Sequence, residues 1–363
     1  MPSYFFVEGC SGIMPAMSEF VLYRKYRPQT WDDVIGQDHV VNVIKGAIKM
    51  GNLAHAYLFA GSRGTGKTSV ARILAHEIGC SNADLYEIDA ASRRGIDDIR
   101  ELRESVRTLP FESKFKVYII DEAHMLTKEA FNALLKTLEE PPEYVVFILA
   151  TTEQNKIPET VISRCQAFTF KRPTQNILRE LVLRIAEREG FSLGSSSADL
   201  IAFLGEGSFR DTQGILQKVI SSSADKKISL EEVEQITGAP RNTLINDFIT
   251  AIRDGDTNKG LIAISSAAEG NIDMRVFLKL ILHKVRTILL LRFAKDMESR
   301  IKEEFTAEEF AFLKELAGKN GAKIASPVLN ELLFAYDQMR YAYLPQLSLE
   351  LALMKVTGCE IIS

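Results

Sequence analysis

Apolar and polar positions change their period near the middle of this chain. Up to Phe170, five short apolar runs alternate with stretches whose apolar residues recur every three to four positions. The runs are residues 56–60, 85–90, 115–120, 145–150 and 167–170. Short and bounded by turn residues, they read as strands, and the almost continuously apolar ones as strands buried on both faces. Helices are predicted over residues 38–50, with a stop at Gly51-Asn52, and over 69–78. A further helix runs through Leu102, Val106 and Leu109 and is closed by Pro110, and another over 131–140 is ended by Pro141-Pro142. Such alternation predicts a parallel sheet covered on both faces, with ligands bound beyond the C-terminal ends of its strands.

From Pro173 the strand signals stop. Helical periodicity covers residues 177–187 and 198–204, a segment opened by Ser208 and running through Val219, and 231–237. Gly238-Ala239-Pro240 reads as a boundary. Beyond it the pattern is all-helical, over 244–252, 259–268, 274–293, 306–316 and 324–344; Pro345 then breaks it and residues 347–353 resume it. The expected organisation is an extension over 1–20, expected to be disordered, an α/β core over 21–172, a small helical part over 173–239 and an all-α part over 240–363. Met14 and Met17 precede the first strongly patterned segment, so Met1–Ala16 reads as an upstream extension or a mis-called start.

Composition narrows the classes. The 363 residues are 46% hydrophobic and 25% charged, enough to bury sizeable cores. A net charge of −4 excludes a globally basic nucleic-acid binder, so any DNA contact must come from a local patch. Cys10, Cys80, Cys165 and Cys359 are scattered without metal-ligand or disulfide spacing, which suits a reducing cytoplasm. No apolar run is long enough to cross a membrane, and residues 1–20 lack the basic flank of a secretory signal.

The chemistry gathers at two strand ends. Gly61-Ser62-Arg63-Gly64-Thr65-Gly66-Lys67-Thr68 follows the first strand and opens a helix. In that context glycines let backbone N–H groups wrap a polyphosphate and the helix adds its positive end. Lys67 then reaches the β- and γ-phosphates and the Thr68 hydroxyl holds magnesium. Asp121-Glu122 end the third run, the first placed to bind the magnesium shell and the second to polarise a water. Read by itself, that pair could equally be an acidic turn capping the next helix. The tetrapeptide Asp121-Glu122-Ala123-His124 also echoes the box of one helicase class. Arg164 alone reads as a surface ion pair, and Arg93, Arg94 and Arg100 as a solvated basic helix face.

Taken together, Tyr26-Arg27-Pro28, residues 61–68, 121–126 and 133–142, Ala150-Thr151-Thr152, Ser163-Arg164-Cys165 and Arg210-Asp211 closely resemble the gamma/tau subunits of bacterial DNA polymerase III. That family supplies the ATP-driven motor of the sliding-clamp loader and belongs to the AAA+ ATPases. The resemblance runs from about Val21 to the C-terminus and includes Leu344-Pro345-Gln346-Leu347, similar to the last helix of the family's collar domain. It implies an AAA+ nucleotide-binding domain with a parallel sheet, followed by a helical lid and an all-α collar for oligomerisation. It also implies that Tyr23, Arg24 and Ile35 line the adenine pocket and that residues 61–68 with Ser69 hold the phosphates. Thr152 becomes the γ-phosphate sensor, Arg210 the second sensor on the lid, and Arg164 the group acting on the ATP of a neighbouring subunit. The implied cofactors are ATP and Mg2+. The implied partners are delta and delta-prime subunits, further copies of the chain, the sliding clamp and primed DNA, the last meeting Arg93, Arg94 and Arg100. The expected setting is the cytoplasm, within a polymerase holoenzyme but with no polymerase active site here.

Two departures stand out. Most gamma/tau subunits carry a zinc module with cysteine ligands after the phosphate-loop helix, whereas here the chain runs from Cys80 straight on to the strand at Leu85 with no further cysteine between them, so zinc is not expected. Set beside that family, the sequence reads as a gamma-like short form, without the tau-type extension expected after the collar region. Competing readings are a non-hydrolysing architectural subunit of the delta-prime kind, which the intact Lys67 and Asp121-Glu122 disfavour, and a helicase or branch-migration motor, supported only by the tetrapeptide.

Overall fold

The computed structural model describes residues 21–93, 95–223, 225–302, 305–318 and 321–358. The extension expected over 1–20, Arg94, Cys10 and Cys359 lie outside these residues. The chain divides into two compact units, one made of the chain up to Ile185 together with Gly205–Gln217, the other of Ala186–Leu204 and the chain from Lys218 onward.

In the first unit, β1 (Ala56–Ala60), β2 (Leu85–Asp89), β3 (Lys116–Asp121), β4 (Val145–Thr151) and β5 (Gln166–Thr169) form one sheet in the order β2-β3-β4-β1-β5, every pair parallel. The helices preceding and joining them are α1 (Leu22–Lys25), α2 (Asp38–Met50), α3 (Lys67–Glu77), α4 (Ile96–Val106), α5 (Lys128–Glu139) and α6 (Glu159–Ile162). Period-two alternation sends neighbouring strand residues to opposite faces. Leu58, Tyr118, Ile120, Phe147 and Leu149 pack with Ile99, Leu102 and Val106 of α4 and Phe131, Leu134 and Leu138 of α5. Tyr57, Phe59, Val117, Ile119, Val146 and Ile148 pack with Val40, Val41 and Ile44 of α2 and Val70, Ile73 and Leu74 of α3. Burial on both faces is why these strands read as unbroken apolar runs.

α7 (Gln175–Arg188), α8 (Ser195–Leu204), α9 (Phe209–Ser222) and α10 (Leu230–Thr237) follow. α10 starts on a capping box, Ser229 accepting from the Glu232 N–H while Glu232 accepts from that of Ser229, and stops at Gly238 in the left-handed region. The all-helical remainder is α11 (Asn242–Asp254), α12 (Thr257–Glu269), α13 (Met274–Phe293), α14 (Glu298–Lys302), α15 (Ala307–Ala317), α16 (Ser326–Gln338) and α17 (Pro345–Thr357). The core of the second unit centres on α13, whose Phe277, Leu278, Ile281, Val285 and Ile288 meet Phe248 and Ile249 of α11, Ile264 of α12, Leu313 and Leu316 of α15, Leu332 of α16 and Leu349 and Leu353 of α17.

Three local expectations change. α4 ends at Val106 rather than running on to Leu109, because Arg107 and Thr108 tighten into three-residue bonds to Glu104 and Ser105, leaving Leu109 75% exposed. A two-residue parallel pair, β6 (Ser192–Leu193) with β7 (Lys227–Ile228), lies where no strand was expected; two residues carry no readable alternation. The helix expected over 324–344 stops at Gln338, and Pro345 opens α17 instead of merely interrupting a pattern. Proline lacks an N–H that a first helical residue has no use for, and its fixed φ suits that position. No helix among the described residues is long and apolar enough to cross a membrane.

Two side chains of α13 anchor the second unit. The Arg292 guanidinium donates to the carbonyls of Leu316 (3.1 Å), Ala317 (3.1 Å), Gly321 (2.8 Å) and Ile324 (2.7 Å), so one cation satisfies the C-terminal end of α15 and the turn after it. Arg292→Ala is expected to lower unfolding stability by about 2–4 kcal/mol, read by urea denaturation, because buried carbonyls lose a charged donor. His283 lies between Phe203 and Phe305, with ring centroids 5.0 and 5.5 Å away. Burial, then the charges of Arg286, Lys284 and Lys279 against an opposing Glu309, lowers its pKa to about 4. The unfolded chain therefore binds more protons than the folded one between that value and the ordinary histidine range near 6.5, so stability falls as pH drops through this window. Wild type is expected to lose at most about 3 kcal/mol there, and His283→Gln to lose correspondingly less across the same pH series of denaturant melts.

Candidate nucleotide site

The site lies at the C-terminal ends of the parallel strands in the first unit. Strand order decides what meets there: β4 stands between β1 and β3, so Thr151-Thr152 emerge between the glycine-rich loop after β1 and the carboxylates after β3. The loop is built around backbone that only glycine adopts without strain. Gly66, at φ 99°, precedes the first residue of α3, and Gly64, at φ 71°, lies so close to Ser208 that an added Cβ would fall 1.9 Å from its Oγ. Gln37, buried, ties the loop to the sheet by donating to the carbonyls of Thr65 (3.4 Å) and Lys171 (2.7 Å) and accepting from the Lys171 N–H at 3.1 Å.

Lys67 folds back over the loop, donating to the carbonyls of Gly61 (2.7 Å) and Ser62 (2.9 Å). Burial pulls its pKa below the usual lysine range, and the charges of Glu122 and Asp121 oppose that fall. The Thr68 hydroxyl donates to Asp121 Oδ2 at 2.9 Å, so the two residues expected to share a magnesium ion already face one another. Glu122 follows at φ 47° and ψ 42°, a left-handed conformation costly for a residue with a Cβ. The Thr152 hydroxyl donates to its Oε2 at 3.0 Å.

A cleft of about 430 Å³ runs along these groups, a size suited to a small organic ligand. Among the expected residues, Tyr23, Arg24, Ile35, residues 63–69, Asp121, Glu122 and Arg210 line it. Gly61 and Ser62 bear on it through Lys67, and Thr152 through Glu122. The Arg210 guanidinium lies 4.8 Å from the centre of the Tyr23 ring, and its hydrogen bond to the phenol holds the Tyr23 pKa below the tyrosine range.

Arg164 is not brought into this cleft. It is bound to Glu139 Oε1 at 2.7 Å and to the Thr160 carbonyl at 2.7 Å. Arg93 and Arg100 also lie elsewhere and are exposed; Arg100 pairs with Asp97 one turn back at 3.0 Å. Burial pushes the Cys165 thiol up to about 12 and that of Cys80 to about 11, which disfavours the thiolate of both.

Sequence reading missed several lining residues, among them Gln37, Glu87, Leu181 and Gln213. They come from the residue before α2, from the edge strand β2 and from α7 and α9, far apart in the chain, and carry no local signature. Arg27, of the Tyr26-Arg27-Pro28 pattern, donates to Ser69 Oγ at 3.1 Å at the start of α3.

The sequence matches two family models in series. That described as DNA polymerase III, delta subunit, covers residues 36–93 and 82–174; that described as DNA polymerase III subunits gamma and tau domain III covers 228–361. The chain is 36% identical to DNA polymerase III subunit tau of Bacillus subtilis, over 94% of this chain and 63% of that protein. It is 42% identical to subunit gamma/tau of Mycoplasma pneumoniae, over 71% of this chain and 41% of that one, and 38% identical to subunit tau of Escherichia coli, over 72% and 44%. The chain thus spans less than two thirds of the length of these relatives. Its fold resembles the Thermotoga maritima RuvB Holliday junction branch migration motor, with a TM-score of 0.50 and 22% identity over 62% of this chain and 79% of that one, a likeness of fold alone. With the glycine-rich loop, the carboxylate pair and the helical C-terminal domain in their expected order, the chain belongs to the DNA polymerase III gamma/tau family, on an AAA+ fold.

Proposed function

We propose that this chain is the ATP-driven motor subunit of a bacterial clamp loader, binding and hydrolysing ATP to place a ring-shaped sliding clamp on primed DNA. The observation that carries this reading is the pairing of Thr68 with Asp121 at 2.9 Å beside the pairing of Glu122 with Thr152 at 3.0 Å. A purely architectural subunit has no use for both. Thr68 and Asp121 are hard oxygen ligands suited to magnesium, and magnesium held there would neutralise phosphate charge. Lys67 would exchange the Gly61 and Ser62 carbonyls for the β- and γ-phosphates, and Glu122 would orient and deprotonate a water. Thr152 would sense the γ-phosphate, Arg210 would reach the phosphates from the lid, and Tyr23, Arg24 and Ile35 would receive the adenine.

In this reading the chain divides into a core over 21–172, a lid over 173–239 and a collar over 240–363. Arg164 would complete the site of an adjacent copy, so that assembly with further copies and delta-type subunits becomes a condition of turnover. Arg93 and Arg100 would touch the DNA backbone without reading sequence. Acidic neighbours on α4, Asp97, Asp98, Glu101 and Glu104, limit what this helix contributes.

The deciding experiment is steady-state ATP turnover of the purified chain, alone and with delta-type subunits, the sliding clamp and primed DNA. A low basal rate rising strongly only with the full set supports the motor. No turnover in a correctly assembled complex supports an architectural subunit, and stimulation by DNA without clamp or partners supports a helicase.

A further inference from the structure

His124 belongs to the tetrapeptide that the proposed motor leaves without a role, and its surroundings are unusual for a histidine that only fills space. Its side chain is 7% exposed, yet both ring nitrogens face carboxylates: Nδ1 lies 3.4 Å from Glu122 Oε2 and Nε2 lies 3.5 Å from Glu153 Oε1. Nδ1 also lies 3.0 Å from the hydroxyl of Thr151, which in turn accepts from the Glu153 N–H at 3.0 Å. Glu153 is held at its other side by Lys156, at 2.9 Å. The imidazole is thus fixed from the end of β4 and from the turn that follows it.

We propose that His124 is a positioning residue for hydrolysis, holding the Glu122 carboxylate in register with the cleft. Glu122 needs such support. Its left-handed backbone belongs to neither strand nor helix, so no regular element directs its side chain. Thr152 and His124 approach the same oxygen, Oε2, from the end of β4 and from the 3-10 turn of residues 123–125. That leaves Oε1 as the atom presented to a water. The Thr152 hydrogen bond tethers this oxygen, and the buried imidazole, itself held by Thr151, packs against it and limits the rotation of the carboxylate. The role rests on the reading of Glu122 as the group that activates water, and the test separates the two.

The assembled complex, with clamp and primed DNA, is compared for wild type, His124→Ala, His124→Asn, Glu122→Gln and the double variant His124→Ala/Glu122→Gln. The readouts are kcat, KM, equilibrium binding of a fluorescent ATP analogue and single-turnover rates. His124→Ala is expected to lower kcat by about 10²-fold, the usual consequence of misplacing a reacting group by about an ångström, with nucleotide affinity changed by less than about twofold. His124→Asn keeps a short-armed nitrogen donor near Nδ1 and is expected to recover about tenfold of that loss. In the Glu122→Gln background, His124→Ala is expected to change the residual rate by less than about twofold, because its effect passes through Glu122. A wild-type kcat in His124→Ala overturns the proposal, as does an equal fold-loss in both backgrounds. So does a His124→Asn variant that folds, binds nucleotide and is no faster than His124→Ala. Wild-type turnover by Glu122→Gln overturns the reading of Glu122 itself and the positioning role with it.

Discussion

Arg164→Ala is expected to leave ATP binding intact and to lower turnover of the assembled complex by about 10³ to 10⁵-fold, the range found when a guanidinium supplied in trans is removed from phosphoryl transfer. Arg164 stands apart from the nucleotide cleft of its own chain, and its guanidinium rests on Glu139 and the Thr160 carbonyl. An exposed pair of this kind contributes little to stability, so the variant is expected to fold and melt like wild type. Those contacts hold the guanidinium at the end of the short helix α6, at a partly exposed position where a neighbour's phosphate can meet it. In the proposed role a cation there would stabilise the charge spread over the transferring phosphoryl oxygens of an adjacent copy, an effect expected only once a second subunit is present. Binding isotherms and turnover, measured on the same assembled samples, check it; normal turnover by the variant in that complex overturns the role in trans.

Lys67→Ala is expected to weaken ATP binding by about 10² to 10⁴-fold, since two charge-assisted hydrogen bonds to phosphate, each worth about 1.5–3 kcal/mol, are lost. Turnover should then fall below detection at ordinary ATP concentrations. The geometry adds a second consequence. Lys67 is 6% exposed and already satisfies the carbonyls of Gly61 and Ser62, so alanine also leaves these loop carbonyls without their donor. Lys67→Arg separates the two effects: it keeps the charge and donors for the loop but cannot place a compact ammonium at the phosphates. Isothermal titration with ATP and thermal melts without nucleotide distinguish them. Retained micromolar affinity in Lys67→Ala would remove this residue from the phosphate site.

Much of the first unit was legible because its central strands, β1, β3 and β4, are buried on both faces and its helices on one. Residues 117–120 and 145–150 announce a central strand by having no polar alternation, and α2 announces itself by Val40, Val41 and Ile44 at helical spacing. Local chemistry was equally readable where a motif has a fixed order, as from Gly61 to Thr68. Failures came where a local rule competes with a tertiary one. Proline can end a helix or open one, and at Pro345 only the turn before it decides. A two-residue strand such as β6 exists through its partner β7 and has no signature of its own.

The order of apolar and polar residues was sufficient for the parallel sheet, for the change to an all-helical chain and for the identity of the groups at the strand ends, because these depend on periods and motifs within about twenty residues. Which groups come together is a different matter. Inserting β4 between β1 and β3 brings Thr151 and Thr152 between Lys67 and Glu122, residues otherwise separated by tens of positions, and no period along the chain encodes that crossover. The left-handed turn at Glu122, the resting place of Lys67 on its own loop and the two carboxylates around His124 likewise follow from packing across the sheet ends, where backbone geometry and neighbouring charge decide a side chain's direction.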